Sequence, residues 1–217
     1  MGILYYRTCP DSDGDMLGTL GPREFLLARR EGEQFRRTGQ GARTTITTNI
    51  GSVITLDIPQ KLTKAFSSTL ACSIQTLYAF TERLDYSPYL EQAIGEIGNT
   101  QILAATMTPK FYQEIRRGAP QLHAIFGAHG LVAVQRFARI AARGIRLMFD
   151  MMRSDDYAIA FGHPSIIILA AWAVNECRDM PLELRTLNPM EGILFISTKN
   201  DDILFDINKI TVNPLEE

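Results

Sequence analysis

Tyr157-Ala158-Ile159-Ala160-Phe161-Gly162-His163-Pro164-Ser165 reads as a strand, a turn and the first turn of a helix. Aromatic and β-branched residues alternating with alanine over five positions suit a strand covered on both faces, and Gly162-His163 interrupts the run. Proline is tolerated at the first helical position, where its missing N–H has no partner to lose, so Pro164 opens a mostly apolar helix that is expected to reach Glu176. A buried strand running straight into a buried helix is the unit from which a parallel α/β sheet is built.

The same unit recurs nearer the start of the chain. Ile3 to Tyr6 forms a short apolar strand that ends at Arg7-Thr8-Cys9-Pro10, and a polar loop, Asp11-Ser12-Asp13-Gly14-Asp15, follows. That loop resembles the opening of a calcium loop, but Pro22 occupies the position of the closing glutamate, which leaves it a solvated turn. Gly21-Pro22 begins a helix carrying Phe25, Leu26, Ala28 and Phe35, with an end expected near Gly39. Threonine and β-branched residues from Arg43 to Ile58, split by Asn49-Ile50-Gly51, predict a hairpin. Ala65-Phe66-Ser67-Ser68 predicts a strand and Thr69 to Leu84 a helix; Pro109 to Arg117 and Leu131 to Arg153 are further helical patterns. Two late strands are expected at Ile193 to Ser197 and Ile203 to Ile207.

Strands alternating with helices predict an α/β fold, a three-layer αβα sandwich with a mostly parallel central sheet, built as one domain over 1–217. Ligands of such sheets gather beyond the carboxyl ends of the strands. Three predicted strand ends carry polar groups suited to an anion: Arg7-Thr8, Ser67-Ser68 and Gly162-His163.

Composition limits the partners. The 217 residues are 46% hydrophobic and 21% charged, ordinary values for a folded chain. With 22 basic and 24 acidic side chains the net charge is −2, so no overall field draws the protein to nucleic acid or an anionic membrane. The start lacks a basic leader followed by a long apolar run, and Ile166 to Val174 falls short of the roughly 20 residues needed to span a bilayer; a cytoplasmic location is expected. Cys9, Cys72 and Cys177 are odd in number and make no CxxC pair, which argues against a disulfide framework or a sequence-local zinc site. Arg136, Arg139, Arg143 and Arg146 form a basic stripe at helical spacing, read as a solvated face with partner carboxylates or else as a docking surface.

The order of motifs resembles the histidine phosphatase (phosphoglycerate mutase-like) superfamily. Leu4-Tyr5-Tyr6-Arg7-Thr8-Cys9 stands where that family has a strand ending in Arg-His-Gly. Leu20-Gly21-Pro22 is similar to its first helix start, and Ser67-Ser68-Thr69-Leu70-Ala71-Cys72-Ser73-Ile74-Gln75-Thr76 to its Ser-Ser-Pro-Leu-x-Arg-Ala-x-Gln-Thr segment. Gly162-His163 matches the late Gly-His turn. The resemblance implies that Arg7 and His163, with Ser68, hold phosphoryl oxygens. It also implies that Thr8 occupies the nucleophile's place, Cys72 that of the second arginine and Cys9 that of a small glycine. Glu91 or Glu96 corresponds to the general acid. His129, in Gly127-Ala128-His129-Gly130, is a rival for the late histidine, although no strand pattern precedes it.

These replacements matter chemically. A threonine hydroxyl is a weak nucleophile unless a neighbouring base takes its proton, and a thiol cannot reproduce the bidentate fork of arginine. The favoured expectation is therefore a catalytically degenerate protein of this fold, a pseudoenzyme. It would keep a partial phosphate or anion pocket and act by binding a phosphorylated small molecule or a protein partner, without a cofactor. Nucleic acid and membranes are not expected partners, and self-association stays open. The alternative is a phosphomonoester phosphatase with an altered nucleophile, either Cys9, its thiolate favoured by Arg7, or Thr8 activated by His163. A third arrangement would gather Cys9, Cys72 and His163 around zinc.

Overall fold

A computed structural model describes residues 1–9, 19–38, 41–59, 61–82, 104–198, 200 and 202–211. The elements are β1 (Ile3–Thr8), α1 (Pro22–Thr38), β2 (Arg43–Thr47), β3 (Val53–Asp57), β4 (Lys64–Ser67), α2 (Ala71–Thr81) and α3 (Pro109–Arg116). They continue with α4 (Gln121–His129), α5 (Leu131–Asp150), β5 (Tyr157–Gly162), α6 (Pro164–Val174), β6 (Gly192–Ser197) and β7 (Ile203–Phe205).

The central sheet has the order β4-β5-β1-β6-β7. β4, β5 and β1 run parallel, β6 is antiparallel to β1, and β7 is antiparallel to β6, so four of the five strands point the same way. The expected hairpin is β2-β3, a separate antiparallel pair. This is the α/β architecture expected from the sequence, with a mostly parallel sheet between helical layers.

Alternation along the strands assigns the layers. Ala158 and Ala160 of β5, with Leu4 and Tyr6 of β1, face a core shared with α4, α5 and α6. The alanines are small enough for α6 to lie close to the sheet, and α6 is buried from Ser165 to Trp172 because α5 covers its other side. Tyr157, Ile159 and Phe161 face the opposite way, against Phe35 of α1 and Leu77 and Phe80 of α2. In α5 the buried positions Val134, Ala138, Ala141, Ile145 and Met148 recur every three or four residues, leaving the arginines outside.

Several boundaries differ from the sequence reading. α2 begins at Ala71 rather than Thr69 and its described part stops at Thr81, α5 stops at Asp150 rather than Arg153, α6 at Val174 rather than Glu176, and β7 at Phe205 rather than Ile207. α4 had no counterpart in the sequence reading: its nine residues carry apolar side chains without a clear polar face, so periodicity is a poor guide there. The described helices include none long and apolar enough to cross a membrane.

Candidate functional site

Strand register brings the expected site positions to one edge of the sheet. Thr8 pairs with Gly162, and Ser67 with Phe161. Beyond the last pairs, the Ser68 N–H donates to the Phe161 carbonyl at 2.9 Å, and the Cys9 N–H to the Gly162 carbonyl at 3.4 Å. β4, β5 and β1 therefore finish at one level, with Ser68, His163 and Cys9 just past their ends. Gly162 is required there by packing, since a Cβ would run into the Tyr6 ring and hydroxyl.

Arg7 is committed to the interior. It shares the alternation of Ile3 and Tyr5 and projects toward the α1–α2 side, where its Nη2 donates to Glu31 Oε2 at 2.9 Å and its Nε to the Met190 carbonyl at 2.8 Å. The guanidinium lies 5.5 Å from the centre of the Phe80 ring, a cation–π contact. Burial lowers the Arg7 pKa, and the Glu31 carboxylate opposes that shift. A guanidinium anchored in this way is a structural ion pair with a helix glutamate. The expected phosphate clamp needs this group free, and two of its donor nitrogens are engaged.

Thr8 is equally held. Its hydroxyl donates to the Asn188 carbonyl at 2.7 Å, and its N–H to the Glu191 carbonyl at 2.8 Å. Glu191 Oε2 accepts from the Asn188 N–H and from Lys209 Nζ, both at 2.8 Å, and so shapes the loop that closes over Thr8. A carbonyl oxygen is no general base, so the hydroxyl proton has a partner that does not activate the oxygen.

His163 caps α6. Its Nδ1 accepts the Ser165 N–H at 3.2 Å, which leaves the proton of the neutral ring on Nε2. Burial pushes its pKa down to about 4, so the ring is uncharged at neutral pH. The Oγ atoms of Ser68 and Ser165 are buried with no hydrogen-bond partner among the described residues. Cys9 and Cys72 meet at the same edge, their sulfurs 3.1 Å apart.

The other candidates resolve differently. His129 ends α4 and its Nε2 lies 3.0 Å from the Thr106 carbonyl, so a helix, not a strand, precedes it. Cys9, Cys72 and His163 do not form the zinc cluster considered from sequence: among the described residues no three His, Cys, Asp or Glu side chains are grouped to hold a metal. Glu91, Glu96 and the Asp11–Asp15 loop lie outside the described residues. The partner carboxylates expected for the α5 stripe are not found for Arg139, Arg143 or Arg146 among the described residues; these arginines line an open cavity of about 1070 Å³ with Asn49, Asn175 and Asn200. It adjoins the amino ends of the parallel strands, where Ser197 pairs with Ile203 and reaches Gly2, away from Thr8 and His163. Volume alone would favour it as the site, but the helix starts and unpartnered hydroxyls gather at the other edge.

Sequence reasoning missed Glu31, Asn188, Met190 and Glu191. Glu31 had a signal: it sits with Ala28, Gly32 and Phe35 on the buried stripe of α1, where a carboxylate calls for a buried cation. Met190 and its neighbours had none, because a loop's path depends on what it packs against.

No family model matches the sequence, and no curated protein matches it. Solved structures do match the fold. Phosphoserine phosphatase from Entamoeba histolytica, in complex with 3-phosphoglyceric acid, aligns with a TM-score of 0.55 at 11% identity over 98% of each chain. Mycobacterial glucosyl-3-phosphoglycerate phosphatase aligns with a TM-score of 0.55 at 12% identity, over 98% of this chain and 99% of the other. Phosphoglycerate mutase from Bacillus anthracis aligns with a TM-score of 0.53 at 11% identity, over 98% and 92%. The fold is that of the histidine phosphatase and phosphoglycerate mutase-like proteins.

Proposed function

We propose that this chain is a catalytically degenerate protein of the histidine phosphatase fold, which binds a phosphorylated small molecule or protein segment at the carboxyl edge of β1, β4 and β5 without hydrolysing it. The observation that carries this reading is the bond from the Thr8 hydroxyl to the Asn188 carbonyl. At the nucleophile's place stands a buried alcohol facing a non-basic acceptor. The ligand class is supported by the phosphate esters named for the solved structures of this fold. It is also supported by the free capacity of Ser68 Oγ and Ser165 Oγ and by the proton on His163 Nε2. Glu91 or Glu96 keeps the general acid's place in this reading, with no acid step to perform.

The alternative, hydrolysis by a Cys9 thiolate, is disfavoured because the Cys9 thiol is pushed well above its ordinary pKa, chiefly by its hydrogen bond to Cys72 and then by burial. Hydrolysis of p-nitrophenyl phosphate is the direct test, with Thr8→Ala and Cys9→Ser measured beside the parent. Background rates in all three, with inorganic phosphate perturbing the His163 ring resonances, are expected. Robust turnover abolished by either substitution would replace this reading with the corresponding altered-nucleophile mechanism.

A further inference from the structure

Three cysteines are free, but only two of them meet. Cys9 follows β1, Cys72 lies in the first turn of α2, and their sulfurs are 3.1 Å apart although the residues are 63 apart in sequence. That separation is inside ordinary sulfur–sulfur contact, and an approach of about 1 Å reaches the roughly 2.05 Å of a disulfide bond. Cys72 is buried and Cys9 half-buried, so the pair is reached from the Cys9 side. Cys177, half-buried after α6, has no such neighbour among the described residues.

From this contact we infer that Cys9 and Cys72 form an oxidant-sensitive dithiol site that closes reversibly to an intramolecular disulfide, tying the end of β1 to the start of α2. This inference is independent of the binding reading proposed above, because it concerns the sulfurs alone.

The proton arrangement supports the order of steps. Cys72 is held down to about 7, first by the hydrogen bond from Cys9 and then by smaller ones involving Ser73, despite burial, whereas Cys9 is raised. Of the two thiols, Cys72 is therefore the one that ionises first, with Cys9 keeping its proton. With hydrogen peroxide, the Cys72 thiolate attacks one oxygen: an S–O bond forms, the O–O bond breaks, and hydroxide leaves. The Cys9 sulfur then attacks the Cys72 sulfenic acid: the S–S bond forms, the S–O bond breaks, and the Cys9 proton leaves with the hydroxyl as water. The two sulfurs lose two electrons, and peroxide is reduced to hydroxide and water.

The test uses the full chain, reduced and then exposed to a small excess of hydrogen peroxide. Thiol titration, intact mass and peptide mapping are read together. Two of the three thiols should disappear, the mass should fall by two hydrogens, and one cross-linked peptide pair should join Cys9 to Cys72. Dithiothreitol should reverse all three changes. In Cys9→Ser the hydrogen loss should vanish and an added oxygen should remain on Cys72. Retention of all thiols, a cross-link through Cys177, a disulfide-linked dimer, or oxygen addition to the parent without hydrogen loss would each overturn the inference. Mapping on the parent keeps the test decisive even if a cysteine variant fails to fold.

Discussion

Arg7 and Glu31 form a buried ion pair, Nη2 to Oε2 at 2.9 Å, with side chains 3% and 5% exposed. The pair joins the central strand to α1 and fixes the direction in which the guanidinium points. A buried charge that loses its partner is expensive, whereas removing both charges together can be nearly neutral. Glu31→Ala should therefore lower stability by about 3–5 kcal/mol, while Arg7→Met with Glu31→Leu should recover most of the loss. Urea unfolding of the parent and the two variants checks the pair; equal losses in the single and double variants would contradict it.

His163 should make stability depend on acid. Its folded pKa of about 4 lies below the ordinary 6.5, so between these values the unfolded chain binds the extra proton. Its contribution is complete above 6.5 and is lost as pH falls toward 4. The loss should be about 2–3 kcal/mol, since each pKa unit corresponds to about 1.4 kcal/mol and the ring is partly exposed. Protonating Nδ1 also removes the acceptor for the Ser165 N–H. His163→Asn keeps a capping acceptor without a titrating ring, so its urea midpoint should change less over this range than the parent's.

Gly32 marks a close approach of α1 to α2. A Cβ there would collide with the Phe80 carbonyl oxygen, part of the backbone of α2. Gly32→Ala gains about 1 kcal/mol of helix propensity, but overpacking against backbone costs about 1–3 kcal/mol or more. The clash should win. A lower thermal midpoint is expected, and a higher one would show that the helices can separate without penalty.

Closing the Cys9–Cys72 pair should stabilise the protein. Restricting a loop spanning a 63-residue separation gives at most about 4 kcal/mol from unfolded-state entropy, reduced by whatever strain closure introduces. The oxidised protein should unfold at higher urea concentration than the reduced protein, and the difference should vanish in Cys9→Ser.

Under the proposed function, restoring the missing chemistry should restore some turnover. Thr8→His with Cys72→Arg and Cys9→Gly supplies a nucleophile, a fork and a small residue in their expected places. A rate above the parent and an acid-labile, base-stable phosphoprotein should appear, after circular dichroism has shown that the buried substitutions at Thr8 and Cys72 are tolerated. A folded triple variant that neither hydrolyses phosphate esters nor binds phosphate would show that the edge is built for another ligand.

The strands and most helices were legible because their signals are local. Ile3 to Tyr6 and Tyr157 to Phe161 announce themselves by residue type, Pro22, Pro109 and Pro164 by the one helical position that tolerates proline, and α5 by its spacing of apolar residues. Strand ends bearing Arg7, Ser68 and His163 could thus be named, and the resemblance supplied their order. Their side-chain commitments could not. Whether Arg7 faces a ligand or Glu31 depends on which face of β1 meets α1, and the Thr8 partner is a loop carbonyl 180 residues away. The contact of Cys9 with Cys72 requires the β4-β5-β1 strand order together with the phase of α2. Local sequence specifies period and turn chemistry; side-chain partners are chosen by packing between distant elements, where burial makes each polar group find whatever acceptor the assembled layers bring to it.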